Sequence, residues 1–589
     1  MGGAFVGAVA ALYQVAVGEP IAFRFYDPAA ISRLAFPVGY RVDRLAAVMM
    51  VLVSGVGTLI FRYSTRYMYQ EPGYGRFMAL VALTTAVLLG MVASPNLIML
   101  FVCWQFLSYL LYQLAHNLEH AATCQGAVRT FRVLRVGDAI FLAGILLAQF
   151  LYGTTEFGTM FERAAHDHTA FAPFPGLHLT GATAVALLVF LGAMGKSAQF
   201  PMHVWLPRSL YAPTPVHALL HAGIINACGF LINRLAPLFG QCPATLHLAF
   251  FVGLTTAILG ASMMLVQNDI KRTLGFSTIG QMGYMVMECG LGAFSLAVFH
   301  LIAHGLFKAY VFLACGNVIH KARKEPTLPP GEESQGEDAI RPVTWLTGFI
   351  TTLVLPLALL LVAHGVLHVP LLESQGAIIF LFFSWMTSCQ AILTLVRLKA
   401  VASWKVCATM LATLLAVVFT YLFAATRFDA FLYPGAGESA AYFRAAALPG
   451  PLFESLVVLT TAAVVTSWGI LYASTRGRVL RLPVRLQELK NWVYVLLANQ
   501  LYLERVIGTF ARPRRKRGVP RAAHPAAAGL SLAAHAAAGV MPFGLVAALG
   551  GVTQIQALNL PLAAVVLAAG WFAISWLLFE VTHGAMFPQ

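Results

Sequence analysis

Residues 191–222 read LGAMGKSAQFPMHVWLPRSLYAPTPVHALLHA, an apolar stretch in which Lys196, His217 and His221 lie among hydrophobic neighbours. Lys196 lies deep in the apolar run that precedes Pro201. Burial of a lysine disfavours its charged form, so the side chain can take up and release a proton. The alternative is a lysine at a helix end that snorkels to the membrane surface. Ionisable groups within a membrane span mark functional sites, and the stretch therefore predicts one at Lys196.

The histidines of this stretch, His217 and His221, are spaced i,i+4 and so share one helix face. Pro213 and Pro215 remove backbone donors, which favours an irregular, hydrated start to that helix. A proton relay is the reading that the pattern favours. A zinc pair and a packed histidine pair remain alternatives, although no third ligand follows at a suitable spacing and no glutamate follows as a general base.

A second row of titratable residues is formed by His300, His304 and Lys308 at i, i+4 and i+8. On a helix these residues rise about 12 Å along one face, which is the arrangement of a proton wire. Arg135 and Asp138, spaced i,i+3 at the predicted start of a span, suit an ion pair that is either structural or functional.

The amino-acid composition indicates a membrane protein. Of its 589 residues 59% are hydrophobic and only 10% are charged, whereas soluble domains carry about 25% charged residues. Apolar runs long enough to cross a bilayer recur along the chain, and they predict an all-α polytopic fold with about 13–15 transmembrane helices. The first run, without a basic leader, is interpreted as a span rather than a cleaved signal. The predicted spans are 2–17, 44–62, 77–93, 96–115, 132–152, 181–199, 209–234, 246–266, 275–290, 292–319, 344–364, 375–397, 403–425, 452–474 and 557–580.

The net charge of +15 is concentrated in residues 476–521, where twelve Lys and Arg face two acids. Such a segment indicates the cytoplasmic face, anionic lipid or an acidic partner rather than nucleic acid. The segment 480–510 within it is amphipathic and reads as interfacial or partner-binding. The eight cysteines include no CxxC pair, and no G-x-G-x-x-G follows a strand. We therefore expect no cofactor and no catalytic centre in this chain.

Taken together, these motifs resemble the antiporter-like proton-channel subunits of the complex I superfamily. The resemblance covers residues 40–320 and rests on KSAQFPMHVWLP from Lys196, on PTPVHALLH from Pro213, on NDIKRTLGFST from Asn268, and on the row from His300 to Lys308. It implies two inverted five-helix repeats with broken helices that meet at the membrane midplane. It also implies that Lys196 is the central proton-carrying lysine, and that the hydrated relay comprises His221, His300, His304 and Lys308, with His217 beside it.

Two departures from the family pattern concern its charge switch. Gln105, which cannot ionise, follows Trp104 where the family carries a glutamate. The C-terminal half offers His364 and His368 where the family has a lysine. Both departures argue against redox-coupled pumping and leave the path itself in place.

Within the superfamily, the stretch HAGIINACGF from His221 to Phe230 and the shorter length resemble the DabB branch, the membrane subunits of bacterial inorganic carbon pumps. That resemblance implies a DabA-like peripheral partner that holds a zinc ion, and a cell inner membrane location. The chain would then pass cations, protons by our interpretation, so that the partner hydrates CO2 in one direction. The alternatives are a proton-pumping subunit of an NADH-quinone oxidoreductase and a subunit of a multi-subunit cation/proton antiporter.

The predicted organisation has five parts. They are an N-terminal span and loop (1–43), an antiporter-like core (44–320), further transmembrane helices (321–475), a basic amphipathic segment with a linker (476–556) and a terminal span (557–580).

Overall fold

The computed structural model of the chain describes most of its first 324 residues and several later segments. It divides into two compact units, of which the first comprises residues 1–290, 300–320 and 496–589, and the second residues 291–299 and 321–495. The described residues are 1–26, 37–115, 121–167, 169–174, 177–209, 212–324, 375, 378, 412, 416, 427–435, 437–475, 484–503, 568, 569 and 571–576.

Long apolar helices build the first unit, because the hydrophobic runs in its sequence exceed the length needed to cross a bilayer. Seven helices of the described part are long and apolar enough to span: Arg44–Tyr67, Tyr74–Val92, Leu97–Ala115, Thr123–Tyr152, Thr214–Arg234, Pro243–Leu265 and Phe294–Cys315. The prediction of a multi-pass, largely helical membrane protein is therefore confirmed.

The helices are numbered here in chain order. They are α1 Gly2–Val17, α2 Arg44–Tyr67, α3 Tyr74–Val92, α4 Leu97–Ala115, α5 Ala121–Tyr152, α6 Phe157–Ala165, α7 Gly181–Lys196, α8 Leu206–Ser209, α9 Thr214–Ala222, α10 Ala227–Arg234, α11 Ala236–Phe239, α12 Pro243–Leu265, α13 Ile270–Gly290, α14 Phe294–Lys324, α15 Asp429–Leu432, α16 Glu438–Ala446, α17 Gly450–Thr475 and α18 Val484–Ala498.

Two short antiparallel hairpins interrupt the helices, which the all-helical prediction did not include. Strand β1 (Ile21–Tyr26) pairs with β2 (Val38–Val42), and β3 (Ala170–Phe174) pairs with β4 (Leu177–Thr180). Both hairpins lie between spans, where the backbone does not have to satisfy itself within a single helix.

Close approach of neighbouring helices depends on glycine. A Cβ on Gly260 of α12 would overlap the backbone nitrogen of Gly280 on α13, and a Cβ on Gly137 of α5 would lie 2.7 Å from the carbonyl oxygen of Gly192 on α7. Small residues at such crossings let helix backbones pack without a gap. The second of these contacts sets α5 against α7, the two helices that carry Asp138 and Lys196.

The span Thr214–Arg234 is a broken helix, but the break does not lie at its start, where Pro213 and Pro215 were expected to make the helix irregular. Pro213 precedes α9 and Pro215 lies in its first turn, and a 3-10 turn at Ile224–Asn226 separates α9 from α10. The break is buried: the hydroxyl of Ser197, the residue after α7, donates to the carbonyl oxygen of Ile225. The end of α7 is thus joined directly to the interruption between α9 and α10.

The described part of the second unit includes α15, α16 and α17. Within it, Phe299 and Phe443 pack against a small core formed by Ala293 and Leu296. The predicted span 344–364, most of the spans 403–425, 375–397 and 557–580, the residues His364 and His368, and most of the basic segment 476–521 lie outside the described residues.

Candidate functional site

Lys196 is the last residue of α7, and its side chain is 1% exposed. Its Nζ donates to the carbonyl oxygen of Trp104 at 2.6 Å and lies 4.4 Å from the centroid of the indole ring. A carbonyl dipole and a π face both stabilise a cation without carrying a full negative charge. The ammonium is therefore held by neutral groups, and it can lose its proton without breaking a direct ion pair.

Asp138 is the carboxylate of this site and is fully buried. Trp104 Nε1 donates to its Oδ1 at 2.8 Å, Ser108 Oγ donates to its Oδ2 at 3.3 Å, and Arg135 Nη2 lies 3.6 Å from Oδ2. Sequence reasoning placed Arg135 and Asp138 at the start of a span, and this was wrong: α5 begins at Ala121, so the pair lies in the middle of a long helix. It is an ion pair inside the protein and not a helix-end contact.

Gln105 faces the same cluster from α4. Arg135 donates to its Oε1, while its Nε2 is buried without a hydrogen-bond partner among the described residues. The cluster thus contains two cationic side chains, Lys196 and Arg135, and a single anionic one, Asp138. A carboxylate at position 105 would have balanced this charge, and the amide does not.

The imidazoles of α9 lie in different environments. His217 Nε2 is 2.8 Å from the carbonyl oxygen of Ala212, whereas neither ring nitrogen of His221 has a hydrogen-bond partner among the described residues. The ring centroids of the two histidines are 6.4 Å apart, and His221 stacks on Phe312 of α14 with centroids 4.4 Å apart. Buried polar atoms that the protein leaves unsatisfied are normally satisfied by water, and both ring nitrogens of His221 are of this kind.

The row on α14 contacts α13 and lies along one face, as the spacing predicts. His300 and His304 have ring centroids 6.2 Å apart, and the buried Nε2 of His304 has no partner among the described residues. Lys308, the next member of the row, donates to the carbonyl oxygen of Leu274 at 3.4 Å. Phe312, one turn further, is the ring that stacks on His221, so the rows of α9 and α14 meet there.

Two charged residues near these rows were missed by sequence reasoning. Glu288 on α13 is 1% exposed, and its Oε2 lies 3.0 Å from Nδ1 of His300. Lys271, in the first turn of α13, is half-buried, and its Nζ donates to the carbonyl oxygen of Ala212 at 3.4 Å. The rule that identified Lys196, an ionisable group inside an apolar run, would also have identified Glu288 within MVMECG.

A metal site is not evident in the part of the chain that the structure describes, which contains no group of three or more His, Cys, Asp or Glu arranged to hold an ion. The His217–His221 pair therefore offers at most two ligands there, fewer than the three protein ligands of a catalytic zinc site.

Comparison with protein families gives two matches. The family described as NADH:quinone oxidoreductase/Mrp antiporter, transmembrane, matches residues 94–394, and the NADH-ubiquinone oxidoreductase (complex I) chain 5 N-terminus matches residues 29–78.

Individual relatives fall in two groups. The probable inorganic carbon transporter subunit DabB1 of Halothiobacillus neapolitanus is 42% identical over 78% of this chain and 83% of its own length. NAD(P)H-quinone oxidoreductase chain 5 of Synechocystis sp. is 41% identical over 54% of this chain and 47% of its own length. The chain thus spans about half the length of that second relative.

Solved structures share the fold at low sequence identity. The Mrp complex of Dietzia sp. superposes on 99% of this chain and 72% of the matched chain with a TM-score of 0.52 at 23% identity. Respiratory complex I of Thermus thermophilus superposes on 76% of this chain and 94% of the matched chain with a TM-score of 0.52 at 19% identity. At these identities the likeness shows a common architecture.

Proposed function

The chain belongs to the family of NADH:quinone oxidoreductase and Mrp antiporter membrane subunits, and from that premise we propose that it conducts protons across a bacterial inner membrane as one subunit of an inorganic carbon uptake complex. The observation that carries the proposal is the burial of Lys196 at the end of α7 and of His221, His304 and Lys308 in helices long and apolar enough to span a membrane. The similarity to an inorganic carbon transporter subunit supports inorganic carbon as the cargo of the complex.

Proton transfer along such a row needs groups that exchange protons with water. His221 and His304 present buried ring nitrogens that no described residue satisfies, and neutral imidazole both accepts and donates a proton. Water in contact with these nitrogens would link the row of α14 to α9. Lys196, joined to the break after α9 through Ser197, would pass the proton on toward the cluster of Asp138.

Gln105 argues for proton flow down the gradient rather than for pumping. A pump needs a charge whose change alters the proton affinity of the central lysine, and the amide of Gln105 has no charge to change. A conduit that lets protons run down their gradient needs no such switch. The proposal therefore assigns this chain a downhill role in which proton flow drives work in a partner.

We assign the hydration of CO2 to another subunit. The relatives named above are subunits of multi-subunit assemblies, and we propose a DabA-like peripheral partner whose zinc ion activates water for attack on CO2. This chain would hold no zinc, no other cofactor and no catalytic centre of its own.

A second candidate function is a proton-pumping subunit of a quinone oxidoreductase, which the identity to the Synechocystis protein favours. That identity is confined to about half of either chain, and Gln105 argues against a redox-driven switch. The antiporter alternative is supported by the family match, whose description includes the Mrp antiporter, and by the shared fold.

The test of the proposal is the energy source of uptake. In cells that depend on the complex, a protonophore should abolish uptake of labelled inorganic carbon, while replacement of external Na⁺ by choline should leave most of it. Hard cations need several oxygen ligands, and the buried carboxylates of the described helices α5 and α13, Asp138 and Glu288, already contact Arg135 and His300. Uptake that survives the protonophore and collapses without Na⁺ would overturn the proposal.

A further inference from the structure

The imidazole of His300 is held at both of its nitrogens by oxygen atoms of one neighbouring helix. Nδ1 lies 3.0 Å from Oε2 of Glu288, and Nε2 lies 3.0 Å from Oε1 of Gln281. Gln281 and Glu288 are seven residues apart on α13, so they lie two turns apart on the same face. Between them the ring of Tyr284 lies 4.9 Å from the ring of His300.

This geometry is compatible with a doubly protonated ring. A neutral imidazole donates from one nitrogen only, and an imidazolium donates from both. Two oxygen acceptors therefore fit an imidazolium, whose charge the carboxylate of Glu288 balances. Glu288 is 1% exposed, and an isolated carboxylate at that depth would be very costly, so its pairing with a cation is what makes its burial tolerable.

The pair lies at one end of the α14 row. His304 follows with its ring 6.2 Å away, and then Lys308. These groups and those of α9 are all bases, and among the described residues Glu288 is the carboxylate that contacts them. Each proton that enters the row adds a positive charge to a buried site, and Glu288 is placed to compensate the first of them.

We propose that Glu288 and His300 form a proton-binding site at the end of the path, in which the carboxylate holds one proton on the imidazole. This inference rests on the proposed proton conduction, and nothing in the comparisons assigns a role to Glu288. When the site releases its proton, the N–H bond at Nε2 of His300 breaks and a neighbouring base or water gains that proton. Neutral His300 then keeps Nδ1–H on Glu288, and the amide of Gln281 rotates so that its NH2 donates to the freed nitrogen.

The test measures proton flux in lipid vesicles that contain the full chain with the partners that co-purify with it. Glu288→Gln keeps the size and a hydrogen bond but removes the charge, so at neutral pH we expect flux to fall about tenfold and its pH profile to move toward acid. Glu288→Asp should retain most of the flux. Glu488→Gln, at an exposed position on α18, is the matched control and should leave flux unchanged. Wild-type flux and pH profile in Glu288→Gln would overturn the inference.

A second readout does not depend on conduction. In chain labelled with ¹⁵N-histidine, we expect a doubly protonated imidazole signal at neutral pH that Glu288→Gln removes, Glu288→Asp keeps and His300→Gln assigns to His300. A neutral His300 in the wild-type chain, or a signal that persists in Glu288→Gln, would also overturn it. Absence of flux in the wild type, with the signal behaving as expected, would instead count against the proposed function and leave the Glu288–His300 pair standing.

Discussion

Lys196 and Trp104 contact each other twice, through the lysine ammonium on the Trp104 carbonyl oxygen at 2.6 Å and through the same ammonium over the indole ring at 4.4 Å. The indole Nε1 of Trp104 in turn donates to Asp138 at 2.8 Å. Trp104 thus separates the cation from the nearest carboxylate, so that Lys196 can lose its proton without the rupture of a direct ion pair.

Substitution of Lys196 should stop conduction while the protein still inserts. Lys196→Ala removes the titratable group, and a proton-transfer residue contributes about a hundredfold or more to the rate. Lys196→Arg keeps a cation that does not deprotonate, so it should fail as well. The measurement is uptake of labelled inorganic carbon, with membrane fractionation to verify insertion. Normal uptake in Lys196→Ala would remove Lys196 from the path.

Substitution of Asp138 should act first on stability. Asp138→Asn leaves the buried guanidinium of Arg135 without its anion, and breaking a buried pair in this way costs about 3–5 kcal/mol. The additional change Arg135→Gln removes the unpaired cation and should restore part of the loss. Thermal unfolding of the purified variants in one detergent gives the comparison. A double variant less stable than Asp138→Asn would show that Arg135 has other, more important partners.

Individual histidines should differ in their importance. Alanine at His221, His300 or His304 should reduce uptake about tenfold or more, because each would remove a group that exchanges protons. His217→Ala should cost less, since its Nε2 is already bound to the Ala212 carbonyl oxygen. His166→Ala, at an exposed position after α6, serves as the control. If His217→Ala were the most damaging of the set, the relay would run along the other side of α9.

Asp43, outside the spans at the start of α2, should give an acid-sensitive contribution to stability. Burial alone raises the pKa of Asp43, but its ion pair with Arg234 and the hydrogen bond from the Ala46 nitrogen hold the pKa below its ordinary value. A lowered pKa means that the stabilisation is present above the ordinary value of about 3.9. It is lost as pH falls through the lower pKa of the folded chain.

Two substitutions at this position separate the charge of Asp43 from its role as a helix cap. Asp43→Asn keeps a capping side chain and should cost about 1.5–3 kcal/mol at pH 7, and Asp43→Ala should cost about 1 kcal/mol more. Thermal unfolding at neutral and acid pH is the measurement. A cost of Asp43→Asn that is the same at both pH values would contradict the role of the charge.

The spans were predictable because hydrophobic length acts locally. The start of α5 was not, because residues 121–131 contain polar side chains that read as a loop. In the fold, polar groups in this region find partners within the protein: the guanidinium of Arg132, for example, lies 5.1 Å from the Trp576 ring. Sequence alone does not reveal such distant partners.

Sequence predicted which residues belong to the site better than it predicted the contacts between them. Lys196 and the two rows stand out as ionisable residues in apolar runs, and their spacing along a helix gives the shared face. Which group contacts which depends on how helices pack. Packing between helices brings the Trp104 carbonyl to Lys196, and Gln281 and Glu288 to His300. These contacts have no signature in local sequence.

Part of the packing around the Lys196 cluster comes from residues far along the chain. Arg135 Nη1 lies 3.4 Å from the hydroxyl of Ser575, a residue 440 positions further along the chain. Phe101 and Arg135 both contact the ring of Trp571. During synthesis, therefore, α4, α5 and α7 enter the membrane long before the residues that cover Arg135 exist. The cluster is assembled in two stages, and a nascent subunit carries its central lysine through insertion before the site around it has been closed.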